Sequence, residues 1–325
     1  MPHQSPVTGH QSPGSDICTA LRDGIAQLEC EHVPSAPLAA ELLLMHTLGR
    51  DRAWLYAHPE QQLSAEARGR YFSLIAQRAS GVPTQYLTGH QEFWGLDFEV
   101  TPDVLIPRPE TEHVIEVALE RLGVASGAGA PRRHAVLRIA DVGTGSGCIA
   151  VALAHELPGA RVAATDISAA ALEVARRNAA RHSVSARIDF VQCNLLDAFF
   201  HQSPLTPAQD KPAASHPSRS FDLIASNPPY IGRKEAATLP REVRDHEPEA
   251  ALFAGETGTD IYAPLIAQAG MLLKPGGIVV LELGYNSAEH VSRLLGAAEW
   301  SDVTITNDLA GIARVASALL KARVP

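Results

Sequence analysis

Residues 136–147, Val-Leu-Arg-Ile-Ala-Asp-Val-Gly-Thr-Gly-Ser-Gly, form the stretch that decides the fold of this 325-residue chain. A short apolar run leads into three closely spaced glycines, and the pattern of residues 149–156 predicts a helix behind them. Glycine is needed where the backbone adopts a positive φ or approaches a ligand closely. The N-terminus of the following helix favours an anionic group. This stretch therefore predicts the first strand, loop and helix of a ligand-binding α/β fold.

A carboxylate follows at the end of the next predicted strand. Residues 161–165 have a strand-like apolar pattern that ends at Asp166, about twenty residues beyond the glycine loop, a spacing at which a carboxylate accepts both hydroxyls of a ribose. The same side chain could instead cap the next turn. The glycines are spaced G-x-G-x-G rather than G-x-G-x-x-G, and Asp141 precedes the first of them. Both features favour S-adenosylmethionine, which carries an ammonium group and no pyrophosphate, over a dinucleotide.

The predicted cofactor site combines the glycine loop with the ends of two further strands. Asn194 and Leu195 follow the strand predicted at 188–191, where an amide and an apolar side chain would meet the adenine. Asn227, at the end of a later strand, is expected to border the same site. The predicted cofactor-binding residues are Gly143, Thr144, Gly145, Ser146, Gly147, Asp166, Asn194, Leu195 and Asn227.

A second functional segment, Asn227-Pro228-Pro229-Tyr230, follows the apolar run at 221–226. Each proline fixes its own φ and lacks an N–H, and Pro228 also confines Asn227 to extended geometry. The segment therefore presents fixed oxygen acceptors beside an aromatic ring, which suits a planar nitrogen bearing two N–H groups. We predict that Asn227 Oδ1 and the Pro228 carbonyl accept these N–H groups while Tyr230 stacks on their plane. The alternative is a strand-ending turn with a packed tyrosine.

The C-terminal two thirds of the chain alternate between strand and helix patterns, which predicts a parallel sheet with helices on both faces. The predicted strands lie at 136–140, 161–165, 188–191, 221–226 and 278–283, and the predicted helices at 149–156, 169–181, 259–273 and 288–298. Two last strands, at 303–306 and 312–318, are expected to close one edge as an antiparallel pair. The fold class is thus α/β, with a doubly wound, mostly parallel sheet of seven strands.

The preceding part of the chain predicts three further segments. Residues 1–15 are polar and predict a disordered tail. Residues 16–80 carry helical periodicity, with Ser64 as one N-cap, and predict an all-helical domain. Residues 81–109 contain several glycines and alternating aromatic and aliphatic residues, which predict a β-hairpin linker. The catalytic domain is expected at 110–325, with residues 201–220, rich in Pro, Ser, Ala and Gln, as a flexible insertion.

Composition excludes several classes of function. Four widely spaced cysteines predict neither a disulfide framework nor a zinc site and fit a reducing cytoplasm. The net charge is −9, and residues 1–110 contain seven Arg, no Lys and thirteen Asp or Glu, so no nucleic-acid partner is expected. The fourteen His lack paired metal-ligand spacing, which predicts no metal. No apolar stretch is long enough for a bilayer, so we expect a cytoplasmic protein without membrane contact, acting as a monomer.

The chain resembles the class I, S-adenosylmethionine-dependent methyltransferases, and more closely the bacterial release-factor glutamine methyltransferases (the HemK/PrmC family). The resemblance runs from about Asp16 to the C-terminus. The matching segments are Gly81-Val82-Pro83-Thr84-Gln85-Tyr86-Leu87-Thr88-Gly89, Phe93-Trp94-Gly95, Pro107-Arg108-Pro109-Glu110-Thr111-Glu112, Asp141 to Gly147, Asp166, Asn227 to Tyr230 and Glu247-Pro248. The Asn-Pro-Pro-Tyr segment is shared with amino-methyltransferases acting on DNA adenine, whereas the Pro-Arg-Pro-Glu-Thr-Glu segment is more specific.

The resemblance implies a helical N-terminal domain that recognises the substrate, a hairpin linker and a doubly wound catalytic domain. It implies methylation of the side-chain amide of glutamine in the Gly-Gly-Gln motif of peptide release factors. Residues Gly143 to Gly147 and Asp166 would hold S-adenosylmethionine, and Asn227 to Tyr230 would hold the glutamine. Glu110 and Thr111 could line the same pocket or cap a helix. The sequence departs from the family pattern at Asn194, Leu195 and Ser287.

Three alternatives stay open on sequence alone. The first is a DNA adenine-N6 methyltransferase, which the negative charge disfavours. The second is the related glutamine methyltransferase of a ribosomal protein, which the segment at 107–112 disfavours. The third is a nucleotide-binding module or oxidoreductase without methyl transfer, in which the Asn-Pro-Pro-Tyr segment would have no function.

Overall fold

The computed structural model describes residues 16–124, 136–200 and 221–322, and the chain divides into two compact units, Met1–Gly89 and His90–Pro325. The predicted tail at 1–15, the small-residue stretch at 125–131 and the insertion at 201–220 lie outside the described residues.

The first unit is all helical where it is described, as predicted. Its helices are α1 Ile17–Cys30, α2 Ala36–Leu48, α3 Arg52–Ala57, α4 Ala65–Ala79 and α5 Thr84–Thr88. Asp16 caps α1 by accepting a hydrogen bond from the Thr19 N–H at 2.7 Å. Ser64 caps α4 in the same way, as the sequence predicts, because its Oγ accepts from the Ala67 N–H at 3.1 Å. The buried core includes Leu28, Leu43 and Tyr71.

Helix α5 is an element that the sequence pattern does not reveal. It lies within residues 81–109, which were predicted to form the hairpin linker, and it begins behind Pro83 and ends at Gly89, which has a φ of 79°. Leu87 packs against the core of the helical unit. The actual hairpin, β1 His90–Phe93 and β2 Leu96–Glu99, starts directly after the helix and pairs antiparallel, as predicted.

The second unit contains a seven-stranded sheet in the order β5-β4-β3-β6-β7-β9-β8. Its strands are β3 Arg138–Val142, β4 Arg161–Asp166, β5 Ile188–Gln192, β6 Phe221–Ser226, β7 Leu273–Glu282, β8 Trp300–Asn307 and β9 Ala313–Leu320. Strands β5, β4, β3, β6 and β7 run parallel. Strand β9 pairs antiparallel with both β7 and β8, so the predicted antiparallel edge is confirmed.

Helices cover both faces of this sheet. The helices of this unit are α6 Glu112–Arg121, α7 Cys148–Glu156, α8 Ala169–Arg181, α9 Arg241–His246, α10 Glu249–Leu252, α11 Tyr262–Leu272 and α12 Ala288–Leu295. Alternate residues of one strand enter different cores: Ile139 belongs to one buried cluster and Ala140 to the other. A strand buried on both faces has no polar alternation, which explains its continuous apolar run. The predicted doubly wound fold is confirmed.

One buried amide connects the hairpin to the sheet's helices. Asn178, on α8, donates from Nδ2 to the carbonyl oxygens of Glu99 and Ser146, each at 2.9 Å. Its Oδ1 accepts from the Glu99 N–H at 2.7 Å. Since Ser146 belongs to the glycine loop, this side chain joins the hairpin, α8 and that loop.

The parallel strands bring the predicted functional segments to one edge. The glycine loop follows β3, Asp166 ends β4, the Asn-Pro-Pro-Tyr segment follows β6, and Glu282 ends β7. In open α/β sheets the ligand crevice lies at the carboxyl ends of the strands. None of the helices within the described ranges is both long and apolar enough to cross a bilayer.

Candidate active site

The glycine loop has the backbone geometry that its sequence predicts. Gly143 and Gly145 adopt φ values of 73° and 53°, a region that side chains with a Cβ avoid, and Gly147 has a φ of 83°. The N–H groups of Gly143 and Thr144 donate to the Thr165 carbonyl at 2.9 and 2.8 Å. These bonds fix the loop against the end of β4.

Asp166 lies against this loop. One carboxylate oxygen accepts from the Gly145 N–H at 2.9 Å, and the other accepts from the Ser168 N–H at 2.9 Å. The carboxylate thus links the glycine loop to the turn before α8, which is the capping geometry considered as an alternative. Two backbone donors do not saturate a carboxylate, which has about four acceptor directions. A role for Asp166 at a ribose stays a prediction.

Asp141 is fully buried behind the same loop. Its Oδ2 accepts hydrogen bonds from the Thr144 hydroxyl at 2.6 Å and from the Ala150 N–H at 3.0 Å. Its Oδ1 is buried and makes no hydrogen bond within the described part of the chain. Burial raises the pKa of this carboxyl to about 7, against the opposing effect of these two donors.

The predicted adenine contacts lie after β5. The Cys193 N–H donates to the Asp166 carbonyl at 3.0 Å, which brings the following residue, Asn194, to the same edge of the sheet. Asn194 is exposed, and Leu195 has a φ of 49° and packs partly against the second core. Their contact with a cofactor stays a prediction.

The Asn-Pro-Pro-Tyr segment is tied to the glycine loop through the residue before it. The hydroxyl of Ser226, which is fully buried, donates to the Val142 carbonyl at 2.6 Å. Val142 directly precedes Gly143, so the two segments leave neighbouring strands side by side. Asn227 then donates from Nδ2 to the Thr111 hydroxyl at 3.0 Å. Pro228 is buried, and Pro229 is partly buried.

A cavity of about 70 Å³ lies beside Asn227 and Tyr230. It exceeds the ~10–15 Å³ of cavity space that one water needs and is about half the ~150 Å³ of a core cavity that binds benzene. A carboxamide group is therefore of suitable size. Apolar side chains, one guanidinium and the two predicted substrate residues line it: Leu105, Arg108, Asn227, Tyr230, Ile231, Val243, Ala251 and Leu252.

Glu282 is a site residue that was not predicted from the sequence. It ends β7, is fully buried, and accepts a hydrogen bond from the Tyr230 hydroxyl at 3.1 Å. Burial raises the pKa of Glu282 to about 7, while hydrogen bonding from Thr111 and Tyr230 acts in the opposite direction. Burial, together with the neighbouring Glu282 charge, raises the pKa of Tyr230 well above its ordinary value. A carboxylate within the apolar run at 278–283 was the available signal.

An ion pair joins two segments on which the family resemblance rests. Arg108 donates from Nη2 to Glu247 Oε1 at 2.6 Å, across 139 positions of sequence. The Glu247 side chain is 1% exposed and that of Arg108 31% exposed. Burial raises the pKa of Glu247, and the Arg108 charge opposes that shift. Because Arg108 also lines the cavity, the pair connects the cavity wall to the segment before α10.

Close backbone approaches hold Tyr230 in place. A Cβ on Gly284 would stand 2.9 Å from Tyr230 Cδ2 and 3.0 Å from its Cβ, so only glycine fits there. A Cβ on Gly258 would collide with the Tyr230 carbonyl oxygen. The Ile231 N–H donates to the Leu252 carbonyl at 2.9 Å, which fixes the chain as it leaves the segment.

A seven-stranded sheet in this order, with a glycine loop after its first parallel strand and an Asn-Pro-Pro-Tyr segment after the fourth, defines a methyltransferase domain. Comparison with known families agrees, since residues 133–310 match the family model for a methyltransferase domain. The chain belongs to the release factor glutamine methyltransferases. Residues 19–89 match the PrmC N-terminal domain, a match that ends where the first compact unit ends.

Two similar relatives carry the family's name. The release factor glutamine methyltransferase of Koribacter versatilis is 45% identical over 91% of this chain and 95% of its own length. That of Chlorobaculum tepidum is 43% identical over 90% of this chain and 93% of its own length. The chain is therefore a methyltransferase, and the alternative of a nucleotide-binding module without methyl transfer is wrong.

Among solved structures, the hMettl16 catalytic domain in complex with the MAT2A 3'UTR hairpin 6 has a similar fold. Its TM-score is 0.51, with 19% identity, and the match covers 78% of this chain and 84% of that one. At this identity the likeness concerns the fold alone.

Proposed function

We propose that this enzyme transfers a methyl group from S-adenosylmethionine to the side-chain amide nitrogen of the glutamine in the Gly-Gly-Gln motif of peptide release factors. The observation that supports this best is the position of Asn227 and Tyr230 on the wall of a carboxamide-sized cavity, in a segment that Ser226 links to the residue before the glycine loop. The names of the relatives support the same substrate. Because release factors act in translation, we propose that the enzyme works in the cytoplasm.

The residues around the glycine loop fit S-adenosylmethionine. A Cβ on Gly143 or Gly145 would meet no atom within 4 Å, so their open side can receive a ligand. A Cβ on Gly147 would stand 3.0 Å from the Ala175 Cβ, so the third glycine serves helix packing instead. Behind the loop, Oδ1 of Asp141 is a buried acceptor with no hydrogen-bond partner among the described residues, and an ammonium group nearby would favour the ionised form of this carboxyl. Asp166 would accept the ribose hydroxyls, with Asn194 and Leu195 at the adenine.

Asn227 and Pro228 would orient the substrate nitrogen. An amide nitrogen is a weak nucleophile because its lone pair is delocalised into the carbonyl group. Acceptors at Asn227 Oδ1 and the Pro228 carbonyl would each take one N–H of the glutamine, and Tyr230 would lie against the amide plane. Orienting two reactants in this way can lower a barrier by roughly 7–11 kcal/mol.

The same acceptors stabilise the charge that develops during transfer. When bound, S-adenosylmethionine would supply an electrophilic methyl group for the substrate nitrogen, with its sulfur as the leaving group. The two oxygen acceptors therefore face a nitrogen that becomes positive, and fixed dipoles of this kind stabilise the transition state. The nitrogen then loses one of its two protons to solvent, which restores the neutral amide.

A methylation assay tests the proposed function. The full chain is incubated with a release factor and labelled S-adenosylmethionine, and mass spectrometry locates the methyl group. We expect it on the glutamine of the Gly-Gly-Gln motif. Methylation of another residue, of a ribosomal protein only, or of duplex DNA would overturn the assignment.

Asn227→Ala provides the variant for the same assay. It should lower kcat at least about a hundredfold, the scale seen when one fixed transition-state hydrogen bond is removed. Cofactor affinity by calorimetry should stay within about twofold. Asn307→Ala, an exposed asparagine at the end of β8, serves as the control. An equal loss of turnover and cofactor affinity would show that Asn227 only maintains the structure.

A further inference from the structure

The amide of Asn227 has two possible orientations, and only one can serve the proposed reaction. With Oδ1 toward the cavity, Asn227 accepts a hydrogen bond from a substrate N–H. With Nδ2 toward the cavity, its own N–H groups would face those of the substrate, and no hydrogen bond would form. Oxygen and nitrogen of an amide differ little in shape, so packing alone does not choose between them. The choice must come from the hydrogen-bond partner on the other side of the amide, which is the Thr111 hydroxyl at 3.0 Å.

Thr111 is 1% exposed and lies at the end of the 3₁₀ turn Pro109–Thr111 before α6. A hydroxyl has one proton to donate and can accept at its oxygen. If that proton is committed elsewhere, the hydroxyl can only accept from Asn227, and Nδ2 must face it. A dedicated acceptor for the Thr111 proton would therefore fix the orientation of Asn227.

Glu282 is such an acceptor. Its side chain is fully buried, and the Thr111 hydroxyl is near enough to lower the pKa of its carboxyl group. The Tyr230 hydroxyl donates to Oε1 at 3.1 Å, whereas Oε2 is buried and makes no hydrogen bond among the described residues, so it can accept the Thr111 proton. Above its pKa of about 7 this carboxyl is ionised and only accepts, so at pH 8 it directs both hydroxyl protons toward itself.

We propose that Thr111 and Glu282 are positioning residues that fix the acceptor orientation of the Asn227 amide and the position of the Tyr230 ring. Glu282 receives the Thr111 proton, Thr111 then accepts from Asn227 Nδ2, and Asn227 Oδ1 is left facing the substrate. Neither residue touches the reacting atoms. This inference rests on the proposed function, because it concerns the same glutamine-binding cavity.

The geometry gives the variants their directions. Thr111→Val keeps the shape of the side chain but removes the hydroxyl, so the Asn227 amide can rotate. Thr111→Ser keeps the hydroxyl and is the matched control. Glu282→Gln introduces an NH₂ donor beside the two hydroxyls, so one of them must turn and accept, and the Asn227 orientation is no longer dictated.

The first test measures kcat, KM and cofactor affinity at pH 8, where Glu282 is ionised, for the full chain with a release factor. We expect Thr111→Val and Glu282→Gln each to lower kcat at least about tenfold, the equivalent of one hydrogen bond to a charged group. Cofactor affinity should stay within about twofold, and Thr111→Ser should keep most of the activity. The double variant should lose little more than either single one, because both act through one chain of hydrogen bonds.

A second measurement reads the amide orientation directly. A Gly-Gly-Glu peptide, whose carboxylate only accepts, should inhibit the natural enzyme poorly because it meets Asn227 Oδ1. In Thr111→Val the amide can present Nδ2 instead, so the inhibition constant of the Gly-Gly-Glu peptide should fall about tenfold relative to that of a Gly-Gly-Gln peptide. A loss of packing alone would weaken both peptides together.

Any one of four results would overturn the inference. They are a natural kcat in Thr111→Val, a loss of kcat in Thr111→Ser equal to that in Thr111→Val, additive losses in the double variant, and an unchanged ratio of the two inhibition constants. If Thr111→Val does not fold, the ratio is measured in Glu282→Gln, for which the same fall is expected and an unchanged ratio counts against the inference. Failure of the natural enzyme to methylate glutamine would instead overturn the proposed function.

Discussion

Asp166 holds the glycine loop and the turn before α8 with one oxygen each. Replacing it should therefore affect the loop as well as the proposed ribose contact. We predict that Asp166→Ala weakens S-adenosylmethionine binding at least about tenfold, since hydrogen bonds to a charged group contribute about 1.5–3 kcal/mol. Calorimetry measures the affinity. Ser168→Ala is the control, because it removes only the cap of α8 at the Ala171 N–H, 3.1 Å away. Unchanged affinity in Asp166→Ala would remove this residue from the cofactor site.

Gly284 lies against the Tyr230 ring, and the space there is too small for a methyl group. We predict that Gly284→Ala displaces the ring and lowers kcat about tenfold or more, because misplacing a group that positions a reactant is costly. Cofactor affinity should change little. Gly159→Ala provides a matched comparison, since a Cβ there would meet no atom within 4 Å. Natural turnover in Gly284→Ala would show that the Tyr230 position does not matter for the reaction.

At the scale of the elements, the apolar periodicity of the sequence predicts most of the strands and helices. The strands and helices of the parallel sheet appear where their apolar patterns place them, because burial on both faces leaves an unmistakable run. Helix α5 was missed because five residues, Thr84–Thr88, are too few to show helical periodicity. Its Leu87 contact depends on packing that no local pattern contains.

The site was predictable only in part for a similar reason. The glycine loop and the Asn-Pro-Pro-Tyr segment can be recognised from their own residues, because glycine and proline determine the backbone conformation locally. Glu282, by contrast, acquires its role from the hydroxyl of Tyr230, 52 positions earlier in the chain. The pairing of Arg108 with Glu247 likewise exists only once the chain is folded.

The ion pair between the segment before α6 and the segment before α10 gives a prediction at this scale. Arg108→Met should lower the free energy of unfolding by about 3 kcal/mol at pH 8, because it leaves the buried Glu247 charge without its partner. Glu247→Gln should cost less, since no buried charge remains. Urea denaturation measures both. Arg293→Met breaks an exposed pair with Glu289 and should cost less than about 1 kcal/mol. Equal costs for all three variants would contradict this account.

At the scale of the whole molecule, two buried carboxyls influence how stability depends on pH. Burial raises the pKa of Asp141 from 3.8 and that of Glu282 from 4.5, each to about 7. Between these values the folded state keeps protons that the unfolded chain releases. Their contribution to the free energy of unfolding is therefore fully present below about pH 4 and falls as the pH rises to about 7.

Glu282→Gln isolates one of these contributions. From pH 4.5 to pH 8 the natural enzyme should lose up to about 3 kcal/mol of unfolding free energy relative to Glu282→Gln. This figure follows from a pKa raised from 4.5 to about 7, at ~1.4 kcal/mol per pKa unit. Urea denaturation at a series of pH values measures it. The charged and titratable groups acting with Glu282 are Tyr230, Arg314, Glu110, Tyr262 and Cys148. A difference that does not vary with pH would show that Glu282 titrates normally.

The contacts of Asn178 have a practical consequence for anyone dissecting this enzyme. A catalytic fragment cut before Glu110 would lack the hairpin strand that supplies Glu99, and with it two of the three hydrogen bonds of a buried amide. The remaining partner, the Ser146 carbonyl, sits in the cofactor loop itself. A fragment that starts at Glu110 would therefore have a less well held glycine loop. A fragment that starts at His90 would keep the hydrogen bonds between Asn178 and Glu99.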